Sequence, residues 1–228
     1  MEYFDIEKNL LIAIDDGKSV ELISSRIDEN IEKQLRLVIE RILERYGKSA
    51  MYDTLFSCIV ELATNGTKAN MKHLFFKDLN IDIHNPEEYY RQLKVFKERM
   101  TDRQWVQEHS IKARELGFYV KIAFHHNSDG ITIEVINNLP LLDEDEKRIR
   151  HKFSSAMKYD DIISFYNDHH DSTEGEGLGF ALNVILMKAE NIDPALFRIG
   201  NLKGQTVARI EIPLTAHFKS LRKKDLDA

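Results

Sequence analysis

The sequence predicts an α/β protein of the α+β kind, on three observations. Residues 25–46 and 53–70 carry apolar side chains at three- and four-residue steps, the spacing of amphipathic helices. Residues 118–124 and 131–135 alternate across Asn127-Ser128-Asp129-Gly130, the pattern of two antiparallel strands with one buried face each. Leu196–Ile199 and Thr206–Ile212 repeat that pattern across Asn201-Leu202-Lys203-Gly204 and predict a closing hairpin.

The remaining elements follow in order. Two short apolar-rich runs, 9–14 and 19–24, flank Asp15-Asp16-Gly17-Lys18, and Asp-Gly between such runs predicts a hairpin; a helix beginning at Ser19 is the alternative. Ile27, Ile31, Leu35, Val38, Ile39, Ile42 and Leu43 then form one helix stripe, stopped at Gly47. Pro86 suits the first turn of a charged helix reaching Arg99. Thr101 is expected to cap a further helix over 102–115, whose Trp105 is read as packing against the domain. His125 and His126 are adjacent on a strand and so point to opposite faces, which makes them poor joint metal ligands. The tail from Thr215 is expected to be loosely ordered.

Two stretches carry chemistry. On the helix over 53–70, Glu61, Asn65 and Lys68 fall within about 60° of one another, opposite Leu55, Phe56, Ile59, Val60, Leu62 and Ala63. A carboxylate can activate water, an amide oxygen can bind Mg²⁺ and an ammonium can meet a phosphate. Alone, the pattern is more simply read as an amphipathic helix with a wet face. The second stretch is Gly175-Glu176-Gly177-Leu178-Gly179-Phe180, running into a segment of helical spacing. Glycines let backbone N–H groups approach an anion, and the following helix N-terminus favours negative charge; a plain hinge before a core helix is the bland alternative.

Taken together and in this order, the two stretches resemble the N box and second glycine box of the GHKL ATPases, the superfamily of DNA gyrase, chaperone ATPases, histidine kinases and mismatch-repair ATPases. The ending Gly204-Gln205-Thr206-Val207-Ala208-Arg209-Ile210-Glu211-Ile212-Pro213-Leu214 is similar to the closing strand of histidine-kinase ATPase domains. The likeness covers roughly residues 50–70 and 117–214. It implies a Bergerat-type two-layer sandwich, with a mixed, mainly antiparallel sheet covered by helices on one face. It also implies ATP and Mg²⁺ as ligands. Glu61 would be the general base, and Asn65 would hold Mg²⁺ through the nucleotide. Lys68 and the Gly175, Gly177, Leu178, Gly179 loop would bind phosphates. The domain would span 49–216 with a helical insertion at 71–116, preceded by a hairpin-and-helix extension over 1–48 and followed by a tail over 217–228.

The resemblance breaks at the purine end. Where histidine kinases read Asp-Asn-Gly-Pro-Gly, this chain reads Asn137-Asn138-Leu139-Pro140-Leu141. Asn137 stands for the acid that accepts from the adenine amino group, and Leu139 and Leu141 stand for two glycines that let backbone lie against the base. A neutral acceptor contributes about 1 kcal/mol less than a charged one. The leucines either fill the pocket or turn into the core. Thr206 matches the family threonine near the adenine, and Phe153 matches an aromatic of the lid, which would span 143–174. His169-His170-Asp171 in that lid is read as a solvated run rather than a metal site.

Composition narrows the functions. A hydrophobic content of 43% suffices for a core, and a net charge of −6 offers no electrostatic reason for nucleic-acid binding. Cys58 is the single cysteine, no apolar run approaches the length of a membrane span, and the acidic start is unlike a signal peptide, so a cytoplasmic protein is expected. The first histidine is His73, so the sequence is expected to lack the phosphoacceptor helix that histidine kinases place ahead of the N box. A kinase of this kind would act on a partner protein, as the anti-sigma-type serine kinases of the superfamily do. The alternative is a degenerate, nucleotide-free scaffold that regulates by protein–protein binding. The helix over 25–46 would serve homodimerisation or simply cover the sheet.

Overall fold

The computed structural model describes residues 2–169 and 178–221. Among these residues, five strands form one sheet in the order β1-β2-β3-β5-β4, and every neighbouring pair is antiparallel. They are β1 (Val20–Ser24), β2 (Val120–His126), β3 (Gly130–Asn137), β4 (Phe197–Leu202) and β5 (Gln205–Pro213). The helices are α1 (Glu2–Asp15), α2 (Glu29–Arg45), α3 (Tyr52–Asp78), α4 (Pro86–Arg99), α5 (Arg103–Glu115), α6 (Asp143–Ala156), α7 (Ile162–His169) and α8 (Leu178–Ala189).

Register decides which side chains enter the core. Val20, Phe124, Ile133, Ile210 and Phe197 form one cross-strand row, and Leu22, Ile122, Val135, Ala208 and Ile199 form the next. Both rows pack with buried residues of α1, α2, α3 and α8 in one core, joined at its edge by Ala156 of α6. The result is a two-layer α+β arrangement.

The expected N-terminal hairpin is corrected. Residues 9–14 belong to α1, and only 19–24 supply a strand. Gly17 does take the positive φ that Asp-Gly signals, at 72°, but it ends a helix. Its N–H bonds to Ile14 O at 2.9 Å and that of Lys18 bonds to Ala13 O at 2.8 Å, a Schellman closure. Nor is 1–48 an appendage, because β1 is an edge strand of the main sheet and Leu35, Val38 and Ile42 of α2 are core residues.

Other boundaries shift less. α2 starts where Asp28 accepts from Ile31 N at 3.1 Å and ends at Gly47, φ 64°. α4 runs Pro86–Arg99 as expected, with Asn85 accepting from Glu87 N and Glu88 N. The cap of α5 is Asp102, which accepts from Gln104 N and Trp105 N; Thr101 donates instead to Glu98 O. The segment after Thr215 is not loose as far as Leu221. Thr215 N bonds to Asp129 O, and Leu221 N donates to the buried Glu211 at 2.7 Å. Phe218 lies over Gly130 on the face of the sheet opposite the helices.

α3 is longer than expected, and its two halves serve different cores. Leu55, Cys58, Ile59, Leu62 and Ala63 face the sheet, whereas Met71, Phe75 and Phe76 join Tyr89, Leu93 and Phe96 of α4 in a second cluster. Trp105 packs there, its ring 6.0 Å from both Phe75 and Phe96. The insertion therefore has its own small core, built on the C-terminal half of the helix that carries Glu61, Asn65 and Lys68.

Candidate functional site

The last helix-facing row of the sheet is polar at its centre. Val120 pairs with Asn137, Asn137 with Thr206, and Thr206 with Asn201. α3 crosses this end closely because Gly66 has no side chain. A Cβ there would stand 3.0 Å from Val120 Cγ2 and 3.8 Å from Asn137 Cβ. The polar face of α3 and the polar row of the sheet thus meet along one cavity of about 190 Å³.

Sequence-predicted residues converge on it from three distant segments. Glu61, Asn65 and Lys68 line it from α3, Asn137, Leu139 and Leu141 from the end of β3 and its loop, and Thr206 from β5. Gly175 and Gly177 lie outside the described residues, as do His170 and Asp171; Leu178 and Gly179 open α8. Among the described residues, no cluster of His, Cys, Asp and Glu could hold a metal ion by itself.

Local bonds set each group. Asn65 Nδ2 donates to Glu61 Oε1 at 3.0 Å, an i to i+4 bond that aims the carboxylate along the helix and leaves the amide oxygen for another partner. Asn138 pins the loop by accepting from Tyr119 N and donating to Gly117 O, both at 2.9 Å. Thr206 Oγ1 and Thr206 N both donate to Leu139 O at 2.8 Å. Asn201 accepts from Leu141 N at 2.6 Å and donates to Leu141 O at 3.1 Å. Both leucine backbones are thus fixed, and both side chains stand half-buried in the cavity wall.

Asn137 is 5% exposed and its Oδ1 has no hydrogen-bond partner among the described residues. A buried amide oxygen without a donor costs roughly 1–3 kcal/mol, so this acceptor calls for a donor from water or a ligand. The charges also point to an anion. Lys68, Lys72, Arg148 and Lys152 line the cavity against Glu61 and Asp145, a positive lining in a chain of net charge −6. A purine phosphate with Mg²⁺ fits this donor set: a buried acceptor at one wall, an amide oxygen beside a carboxylate, and an excess of cations. His73, also in the lining, is held below the usual imidazole range by burial and then by Lys77 and Lys72, and stays neutral.

Sequence reasoning missed Lys72, Asp145 and Asn201. Lys72 had a signal: it falls within about 40° of Glu61, Asn65 and Lys68 once the helix continues past 70. Asp145 and Asn201 had none, because their roles depend on which elements come to face α3 and the loop.

No protein-family model matches the chain, and no solved structure does. An uncharacterized protein of Treponema pallidum (strain Nichols) is 31% identical over 177 residues, which is 77% of this chain and 34% of the relative. The chain therefore spans about a third of the length of the relative it matches.

Proposed function

We propose that this chain carries a GHKL-type nucleotide-binding domain of Bergerat fold, which takes Mg-ATP in the α3 cavity and acts as a protein kinase or ATPase toward a regulatory partner. One observation carries the reading. Residues expected at opposite ends of a nucleotide, Glu61, Asn65 and Lys68 on one side and Asn137 and Thr206 on the other, line a single cavity although they lie far apart in sequence. Mg²⁺ bound with the nucleotide would neutralise charge on the phosphates. Asn65 would hold it through the amide oxygen left over from the bond to Glu61. Glu61 would take the proton of the attacking group, and Lys68 would meet phosphate oxygens.

The glycine loop belongs to the same proposal. Thr54, near the start of α3, donates to Glu190, just past the end of α8, at 3.0 Å. An antiparallel run of twelve residues, about 18 Å, would bring the first turn of α8 alongside Asn65. There its amide groups would face the phosphates.

A second reading has its own observation. Leu139 and Leu141 are in the wall, and the cavity is smaller than the roughly 300 Å³ at which ordinary small-molecule sites begin. If they exclude the base, the domain is a nucleotide-free scaffold that works through protein–protein contacts. Thermal melting with and without millimolar Mg-ATP separates the two. Under the nucleotide reading the midpoint rises, since the ligand binds only the native state, and Asn65→Ala abolishes the rise. A flat response in the parent, turned positive by Leu139→Gly with Leu141→Gly, establishes the scaffold.

A further inference from the structure

A buried charged cluster stands at the cavity wall and joins three elements. Lys72 of α3 pairs with Asp145 of α6, their side chains 10% and 15% exposed. Tyr89 of α4, fully buried, donates to Asp145 Oδ1 at 2.6 Å and accepts from Lys72 Nζ at 3.3 Å. Arg148, one turn along α6, approaches Tyr89 and Asp145 at 3.4 Å each. The next residue of α4 repeats the grip, with Tyr90 donating to Glu144 Oε2 at 3.0 Å. Two consecutive tyrosines of the insertion thus hold two consecutive carboxylates in the first turn of α6.

The two ends of this grip differ in rigidity. The Tyr89 ring is seated in the second core, edge-on to Phe76 at 5.5 Å. The first turn of α6 has no side-chain cap bond at Leu142 and carries four acids in succession, Asp143 to Glu146. Within α6 the exposed Lys147 and Arg150 pair with Glu144 and Glu146, whereas Lys72, Tyr89 and Tyr90 tie the turn to other elements. Asp145 and Arg148 also line the cavity, as do Leu139 to Leu142, which lead directly into α6. The turn that Tyr89 grips is therefore a wall of the cavity.

We propose that Tyr89 is a positioning residue, through which the inserted helix α4 sets the place of α6 and hence the width of the cavity. A phenylalanine would fill the second core equally well. The hydroxyl adds only its bonds to Asp145, Lys72 and Arg148, and these act on the cavity wall. Any partner that shifts α4 would then be felt at the site; this consequence for nucleotide rests on the function proposed above, whereas the grip itself does not.

Hydrogen exchange on the full chain, without ligand, tests the grip. In Tyr89→Phe, amides of residues 146–153 should exchange about tenfold faster or more, the loss of one charge-assisted bond. Amides of β2 and β3 should be unchanged, and Tyr90→Phe, at the exposed rim, should have a smaller effect. Unchanged α6 exchange, or an equal rise throughout the sheet, overturns the proposal. The second readout is Mg-ATP affinity by calorimetry, expected to weaken several-fold in Tyr89→Phe. Looser α6 with unaltered affinity also overturns the proposal. Looser α6 in a chain whose parent binds no Mg-ATP leaves the grip standing and removes the nucleotide reading instead.

Discussion

Gly130→Ala should be destabilising in a way that depends on one ring of the C-terminal segment. A Cβ at Gly130 would stand 2.1 Å from Phe218 Cδ2, 2.3 Å from its Cε2 and 3.0 Å from Ile212 O. The carbonyl belongs to the β3–β5 ladder, so the ring must leave. Full burial of a phenylalanine contributes about 1.5–3 kcal/mol, and a half-buried ring about half of that. Crowding against the ladder adds roughly 1 kcal/mol. Restricting the unfolded chain returns about 0.5 kcal/mol. The net loss is about 1.5 kcal/mol, or about 3–6 °C in Tm for a chain of this size. Urea denaturation of Gly130→Ala, Phe218→Ala and the double variant measures it. Once the ring is gone only the crowding against Ile212 O remains, partly offset by chain restriction, so the double variant should cost about 0.5 kcal/mol more than Phe218→Ala alone. Strictly additive losses, or a neutral Gly130→Ala, would refute the docking of this segment on the open face of the sheet.

Three further outcomes follow from the same packing. Burial, and then the nearby Glu61, push the Cys58 thiol up to about 12, so a thiol reagent at pH 8 should label it only at the rate of unfolding; rapid labelling of native protein would contradict the packing under α3. His73 and His126 are both held below 6.5, chiefly by burial, so the unfolded chain binds the extra protons first. Stability should fall as pH drops below 6.5 towards their folded values, and His126→Gln should flatten that slope in urea titrations at successive pH values. At Gly66, alanine gains about 1 kcal/mol of helix propensity against a 3.0 Å contact with the Val120 side chain, and should come out near neutral. Gly66→Val should lose about 1–3 kcal/mol by overpacking, read from urea midpoints.

The elements were legible where local chemistry acts alone. Pro86 opens α4, Gly47 ends α2, and Lys203-Gly204 turns β4 into β5 with φ of 52° and 79°. Glu61, Asn65 and Lys68 were readable because a helix repeats within a few residues. The same signal misled at Gly17, where one positive φ suits a hairpin turn and a helix end alike. Residues 9–14 have apolar side chains for either, and the docking of Leu10, Ala13 and Ile14 on the core, at helical spacing, chose helix.

What sequence alone determined, then, is the set of chemical groups: an acid, an amide and a cation on one helix face, and an amide and a threonine at strand ends. Their meeting in one cavity was decided by tertiary structure. Cross-strand register brings Asn137 beside Thr206, and Gly66 lets α3 close upon them. The grip of Tyr89 on Asp145 likewise has no local signature, since it joins side chains 56 residues apart through the packing of α4 against α3. Short-range periodicity reports what one element presents; which surfaces face each other depends on burial of the whole, and no local pattern encodes it.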